Sequence, residues 1–189
     1  VYPANDGKIW LAVGMKDGIC LVNGNEITQY LEKDGLVHSQ PISIHRDNQE
    51  NSLWISTYGG ISHLDIDSQT FTNYTQQKDG LLTNFVNGIY QDNDGSLWFG
   101  LASPNGFSGV SHFDSESQTF TNFTNADGLP ESRWFNAIQR GPKGNLWIGT
   151  GGEGGISRYD ATSFTTLTVK DGLSSNNISD LLFDSDGLL

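Results

Sequence analysis

Cysteine is almost missing from this chain: Cys20 stands alone among 189 residues. No intrachain disulfide can form, so the fold is not a disulfide scaffold. Basic residues are also scarce, with 10 Lys and Arg against 22 Asp and Glu and a formal charge of -12. A surface of that sign repels polyanions, which argues against nucleic acid or an anionic membrane as partner. No apolar run is long enough to span a bilayer, and no membrane contact by this segment is expected. No stretch carries an apolar stripe at i, i+3, i+4 and i+7 beyond a turn or so, which argues against a helical bundle. The chain opens on Val1, not Met, without a signal-peptide pattern, and is expected to be a processed or excised piece of a longer protein.

What the chain does have is glycine and aromatic residues: 23 Gly, with 5 Trp, 6 Tyr and 10 Phe. That mixture suits short strands and tight turns. Four tryptophans stand in near-identical settings, "GKIWLA" at Trp10, "NSLWIS" at Trp54, "GSLWFG" at Trp98 and "GNLWIG" at Trp147, at spacings of 44, 44 and 49 residues. A "DGL" triplet recurs in step, beginning at Asp34, Asp79, Asp127 and Asp171. Between them fall "GGISHLD" ending at Asp65, "GVSHFD" at Asp114 and "GGISRYD" at Asp160, then "FTNY", "FTNF" and "FTTL" from Phe71, Phe120 and Phe164.

Each period therefore holds four short β-prone runs, here A to D, with the Trp on B. The predicted strand A runs are "PISIHR", "FVNGIYQ", "WFNAIQR" and "NISDLLF". The turns "DNDG", "GPKG" and "DSDG" join A to B, because Asn, Asp and Gly tolerate positive φ. A repeat of four strands over 40–50 residues predicts a β-propeller blade. One blade has two apolar faces and cannot bury them alone; stacking blades around an axis buries both. The small residue two places after each Trp (Ala12, Ser56, Gly100, Gly149) leaves room for the neighbouring blade. The expected fold is all-β, with approximate repeats 1–38, 39–83, 84–131 and 132–175, and 176–189 starting a fifth.

The combination of "DG-x-LW", "G[IV]S-x-[FY]D", "FT-x-[YF]" and "DGL" resembles the two-component regulator propeller repeat over the whole chain. The resemblance implies seven-bladed rings in the extracytoplasmic sensor of bacterial signalling proteins, hence a periplasmic or extracellular location. Residues 1–7 and 181–187 occupy the same phase of the repeat. The favoured reading is part of a larger, seven- or eight-bladed ring completed by further blades. The alternatives are two chains joining by self-association, or four blades closing alone with 177–183 beside the first Trp strand.

Antiparallel order puts the B–C and D–A loops at one end of every blade. The B–C loops vary most in length, and variation on a constant scaffold is where binding residues collect. The candidate ligand-binding residues are Tyr58, Phe107, Arg133, Trp134 and Glu153, with Lys16, His38 and Glu131 in the same loops. Aromatic rings with one cation suit a small molecule such as a glycan fragment, or a peptide of a protein partner. The opposite end carries short Asp, Asn and Gly turns that offer little to grip.

His63 and His112 fill one strand C position, where Leu21 and Arg158 stand in the other copies, so both are read as structural and no metal site is expected. "DNDGS" from Asp92 lacks the acidic residue at position 12 of a calcium loop, where Ser103 stands. "NYT" at Asn73, "NFT" at Asn122 and "NIS" at Asn177 are formal sequons, the first two generated by the strand D repeat. No nucleophile–base motif or phosphate-binding loop is readable, so no catalytic residue and no cofactor are expected. The leading function is ligand sensing. The alternatives are a structural protein-interaction propeller and a propeller lyase or hydrolase.

Overall fold

The computed structural model describes residues 2–3, 7–14, 17–104, 106 and 108–189, and it is all-β. Four antiparallel sheets succeed one another, each with its strands in chain order. Blade 1 holds β1 (Tyr2–Pro3), β2 (Ile9–Ala12), β3 (Ile19–Asn23) and β4 (Glu26–Tyr30). Blade 2 holds β5 (Pro41–Arg46), β6 (Ser52–Thr57), β7 (Gly60–Asp65) and β8 (Thr70–Tyr74). Blade 3 holds β9 (Val86–Gln91), β10 (Leu97–Leu101), β11 (Val110–Asp114) and β12 (Thr119–Phe123). Blade 4 holds β13 (Trp134–Arg140), β14 (Leu146–Gly151), β15 (Ile156–Tyr159) and β16 (Phe164–Leu167).

First strands of successive blades pack on one another, β1 on β5, β5 on β9 and β9 on β13. The blades thus fan out from a shared inner edge, as in part of a propeller ring. Each junction has its own core. Trp10, Ile19, Tyr30 and Leu36 meet Leu53, Ile55 and Leu64 between blades 1 and 2. Trp54, Tyr74 and Leu81 meet Val86, Phe99 and Phe113 between blades 2 and 3. Trp98, Val110 and Leu129 meet Phe135, Leu146 and Ile148 between blades 3 and 4. Each buried Trp removes about 150–250 Å² from water, which at about 25 cal/mol per Å² is worth about 4–6 kcal/mol before ordering costs.

Trp10, Trp54 and Trp98 are buried, but Trp147 is only half-buried. The four are expected in equivalent buried settings, and the fourth differs for a physical reason. The next blade covers each Trp, and no fifth sheet covers Trp147 among the described residues. Its ring meets Phe183 instead, edge-on at 6.4 Å. The run 177–183, predicted as a strand A, forms no ladder. Ile178 N–H does donate to Thr150 O at 2.8 Å, so the run begins against blade 4.

The recurring motifs acquire physical jobs. In "DGL" the Asp carboxylate accepts the N–H of the residue that opens a single helical turn: Asp34 from Leu31, Asp79 from Thr75, Asp127 from Thr124 and Asp171 from Thr168, at 2.8–3.0 Å. The Gly ends that turn at left-handed φ of 111°, 80°, 102° and 108°, a region that penalises any Cβ. Leu36, Leu81 and Leu129 then drop into the junction cores. The strand D Asn is a clamp between blades. Asn73 Nδ2 donates to Gly35 O and Asn122 Nδ2 to Gly80 O, both at 2.9 Å, while Ser62 and Ser111 hydroxyls donate to their carbonyl oxygens. The two strand D sequon asparagines are thus engaged in blade packing.

Candidate functional site

The B–C and D–A loops share one end of the blades because the end of each second strand pairs with the start of the first: Thr57 opposes Pro41 and Gly151 opposes Trp134. Tyr58 sits in the β6–β7 turn and is 47% exposed. The turn is fixed by Thr57, whose hydroxyl donates to Gly60 O at 2.8 Å and accepts from Gly59 N–H at 2.9 Å. The Tyr58 ring stands edge-on to Phe85 of the next blade, with centroids 5.6 Å apart.

Phe85 leads into β9, and its carbonyl accepts from Ala102 N–H at 2.8 Å. Ala102 forms an isolated bridge with Trp134, which opens blade 4 and is 45% exposed. Arg133 O accepts from Ser103 N–H at 2.9 Å, and its side chain is exposed. Glu153 is exposed in the β14–β15 loop, two residues beyond the partner of Trp134. Tyr58, Arg133, Trp134 and Glu153 therefore lie along one end of blades 2 to 4, joined through Phe85 and Ala102. Phe107 lies outside the described residues, as does Lys16. Phe85 is not among the residues that loop variation singles out, although its place at the head of the predicted strand A run, like that of Trp134, is the signal that finds it.

The other end is richer than its short turns suggest. Strand A ends there in a polar residue, Arg46, Gln91 or Arg140, and Asp47 and Asp92 come directly after the first two. Asp92 takes the Arg140 guanidinium of the next blade in two hydrogen bonds of 2.5 Å. Asp47 accepts from the Trp54 indole N–H at 2.8 Å and from backbone N–H groups of Gln49 and Glu50. Burial pushes the Asp47 carboxyl up, but those hydrogen bonds outweigh it and hold it below its ordinary value. Trp98, whose neighbouring carboxylate is taken by Arg140, has a buried N–H without a partner among the described residues.

The paired histidines are packing residues. His63 stacks on Trp54 at 4.1 Å and 12°, and His112 lies on Trp98 at 4.4 Å. Burial lowers the pKa of both, against the raising effect of nearby carboxylates. Among the described residues no group of three or more His, Cys, Asp or Glu is placed to hold a metal. No helix among them is long and apolar enough to cross a membrane.

Residues 80–102 and 128–152 match the family model "Two component regulator propeller", each match running from a DGL turn through the Trp strand. No curated protein matches the chain. The fold is similar to the extracellular domain of a hybrid two component system of B. thetaiotaomicron, at 25% identity and TM-score 0.78, over 98% of this chain and 25% of that one. A second such B. thetaiotaomicron domain matches at 22% identity and TM-score 0.78, over 98% of this chain and 27% of that one. Virginiamycin B lyase of Staphylococcus aureus matches at 18% identity and TM-score 0.62, over 85% of this chain and 52% of that one, a likeness of fold alone. The chain thus spans about a quarter of the two B. thetaiotaomicron domains. Two segments of the chain thus match the two component regulator propeller repeat, and the Trp and DGL pattern that they share recurs in every blade.

Proposed function

We propose that these blades are the ligand-recognition part of an extracytoplasmic bacterial sensor, within a larger ring that further blades complete. The observation that carries this reading is the row at the loop end. Two large aromatic side chains are about half exposed there, Tyr58 on a hydrogen-bonded turn and Trp134 at the start of β13. Exposed aromatic rings held beside a cation and a carboxylate, here Arg133 and Glu153, suit a polyhydroxylated ligand such as a glycan fragment. The B. thetaiotaomicron structures are extracellular domains of signalling systems, which supports the same location and role for this chain.

The test is a glycan array probed with the labelled chain, then calorimetric titration of the best oligosaccharide against Trp134→Ala and Arg133→Ala. Trp134→Ala is expected to weaken binding about tenfold or more while leaving the fold intact, since its ring is not part of a junction core. Unchanged binding in both variants would refute this face as the site. A protein-interaction scaffold would instead give no oligosaccharide binding at all.

A further inference from the structure

The repeat acts as its own control, and one junction breaks the pattern. The cleft between blades 1 and 2, at the end opposite the loop row, has a volume of about 480 Å³. The same cleft between blades 2 and 3 holds about 80 Å³. Register explains the difference. Tyr2 opposes Trp10 as Tyr90 opposes Trp98, so Pro3 corresponds to Gln91, and the next residue in sequence, Ala4, corresponds to Asp92 and Asp47. Ala4 itself lies outside the described residues. Leu21 opposes Trp10, where His63 and His112 oppose the other two. Blade 1 thus lacks both the carboxylate and the imidazole that occupy this position in blades 2 and 3.

Lys8 and Asn51 are among the donors that line that cleft, and three others, on Arg46, Trp10 and Tyr30, have no hydrogen-bond acceptor among the described residues. Arg46 is half-buried and makes no ion pair with any of them, whereas Arg140, in the same register, binds Asp92. The Trp10 indole, 3% exposed, has no acceptor there, whereas Trp54 donates to Asp47. The Tyr30 hydroxyl, on a residue 8% exposed, has none either, whereas Tyr74 donates to Gln118. Asp67, the carboxylate beside the cleft, is exposed and accepts from Asn51 at 2.8 Å. In other blades an aspartate at one position serves each of two such donors, Asp92 the arginine and Asp47 the indole.

We propose that the cleft between blades 1 and 2 is a binding site for a small organic carboxylate, gripped by Arg46, Trp10 Nε1–H and the Tyr30 hydroxyl. The carboxylate of the ligand takes the place that Asp92 and Asp47 hold elsewhere. Its body, apolar and about the size of a ring, takes the place of the missing imidazole against Trp10 and Leu21. The cleft volume is in the range that holds a compact metabolite. This inference does not depend on the loop-end row, which lies at the other end of the blades.

Benzoate is the first probe, titrated calorimetrically at low salt, with benzamide as the neutral isostere and acetate as the bodiless anion. A short Gly-Asp-Gly peptide tests whether a protein side chain is the preferred source of the carboxylate. Benzoate is expected to bind better than all three. Arg46→Gln is expected to weaken benzoate by about tenfold or more, the usual loss for a charge-assisted hydrogen bond. Because Gln91 occupies that register in blade 3, the variant is expected to keep its melting temperature. Leu21→His, which restores the imidazole, is expected to weaken benzoate as well. The proposal fails if benzoate does not bind, if benzamide or the peptide binds as well, or if folded Arg46→Gln binds benzoate like the parent.

Discussion

Replacing Gly100 by Ala tests blade stacking at its tightest contact. A Cβ on Gly100 would lie 2.3 Å from the carbonyl oxygen of Phe135 and 2.9 Å from its carbonyl carbon. Both atoms belong to the main chain of the next blade, so no rotamer change relieves the contact. Phe135 is fully buried, and its strand is paired along β14, so β13 must move as a unit. Overpacking of this kind costs about 1–3 kcal/mol. The substitution also removes glycine entropy from the unfolded chain, which returns about 0.4–1 kcal/mol. The net loss of about 1–2 kcal/mol predicts a fall in melting temperature of about 2–8 °C for a chain of this size. Circular dichroism melts would measure it, with Gly14→Ala alongside. At Gly14 a Cβ meets nothing within 4 Å and φ is not left-handed, so that variant should match or slightly exceed the parent. Equal melting temperatures for Gly100→Ala and Gly14→Ala would show that blades 3 and 4 do not pack through this contact.

The junctions lead to two further outcomes. His63 and His112 have pKa values below the ordinary 6.5 because burial disfavours the charged ring, so the folded state binds fewer protons than the unfolded chain there. Their neutral forms are fully accommodated above about pH 6.5, and stability falls as pH drops from there through the lowered folded values. His63→Phe keeps a ring on Trp54 and should flatten part of the slope of melting temperature between about pH 7 and 5; an unchanged slope would refute the assignment. Asn73→Ala removes the donor to Gly35 O and the acceptor of Ser62, at a cost of about 1–2 kcal/mol read in chemical denaturation.

The fold was readable because the repeat fixes register. A Trp with near-identical flanks four times over marks one strand of each blade, and the DGL triplet marks where one blade hands over to the next. Gly100 and Gly149 show the reading at work: the small residue two places after the Trp faces Phe135 in one case and Ile178 in the other. Whatever depends on a neighbouring blade was not readable. The half-exposure of Trp147 is set by the covering that the next segment of chain provides, while its flanks differ from those of Trp98 only in Asn145 for Ser96 and Ile148 for Phe99. The reach of the DGL aspartate back to the preceding N–H is likewise a property of the folded turn. The motif marks its place without revealing its bond.

The same reasoning locates what the sequence conceals about the sites. Tyr58 is singled out by asking where the repeat is allowed to vary, since the B–C loops vary most in length, and Trp134 by the extra Trp at a D–A junction. The turn end is found by a different question: where does the repeat fail to repeat? Arg46 looks unremarkable in its own strand, since Arg140 stands in the same register. Its meaning comes from Ala4, far earlier in the chain, where alanine replaces the aspartate found in blades 2 and 3. The cation and the substitution that removes its counterpart aspartate lie in different copies of the repeat, and only comparison of the copies connects them. In a repeat fold, a polar residue whose partner has been lost from the neighbouring copy is therefore a sharper pointer to a binding site than any feature confined to one copy.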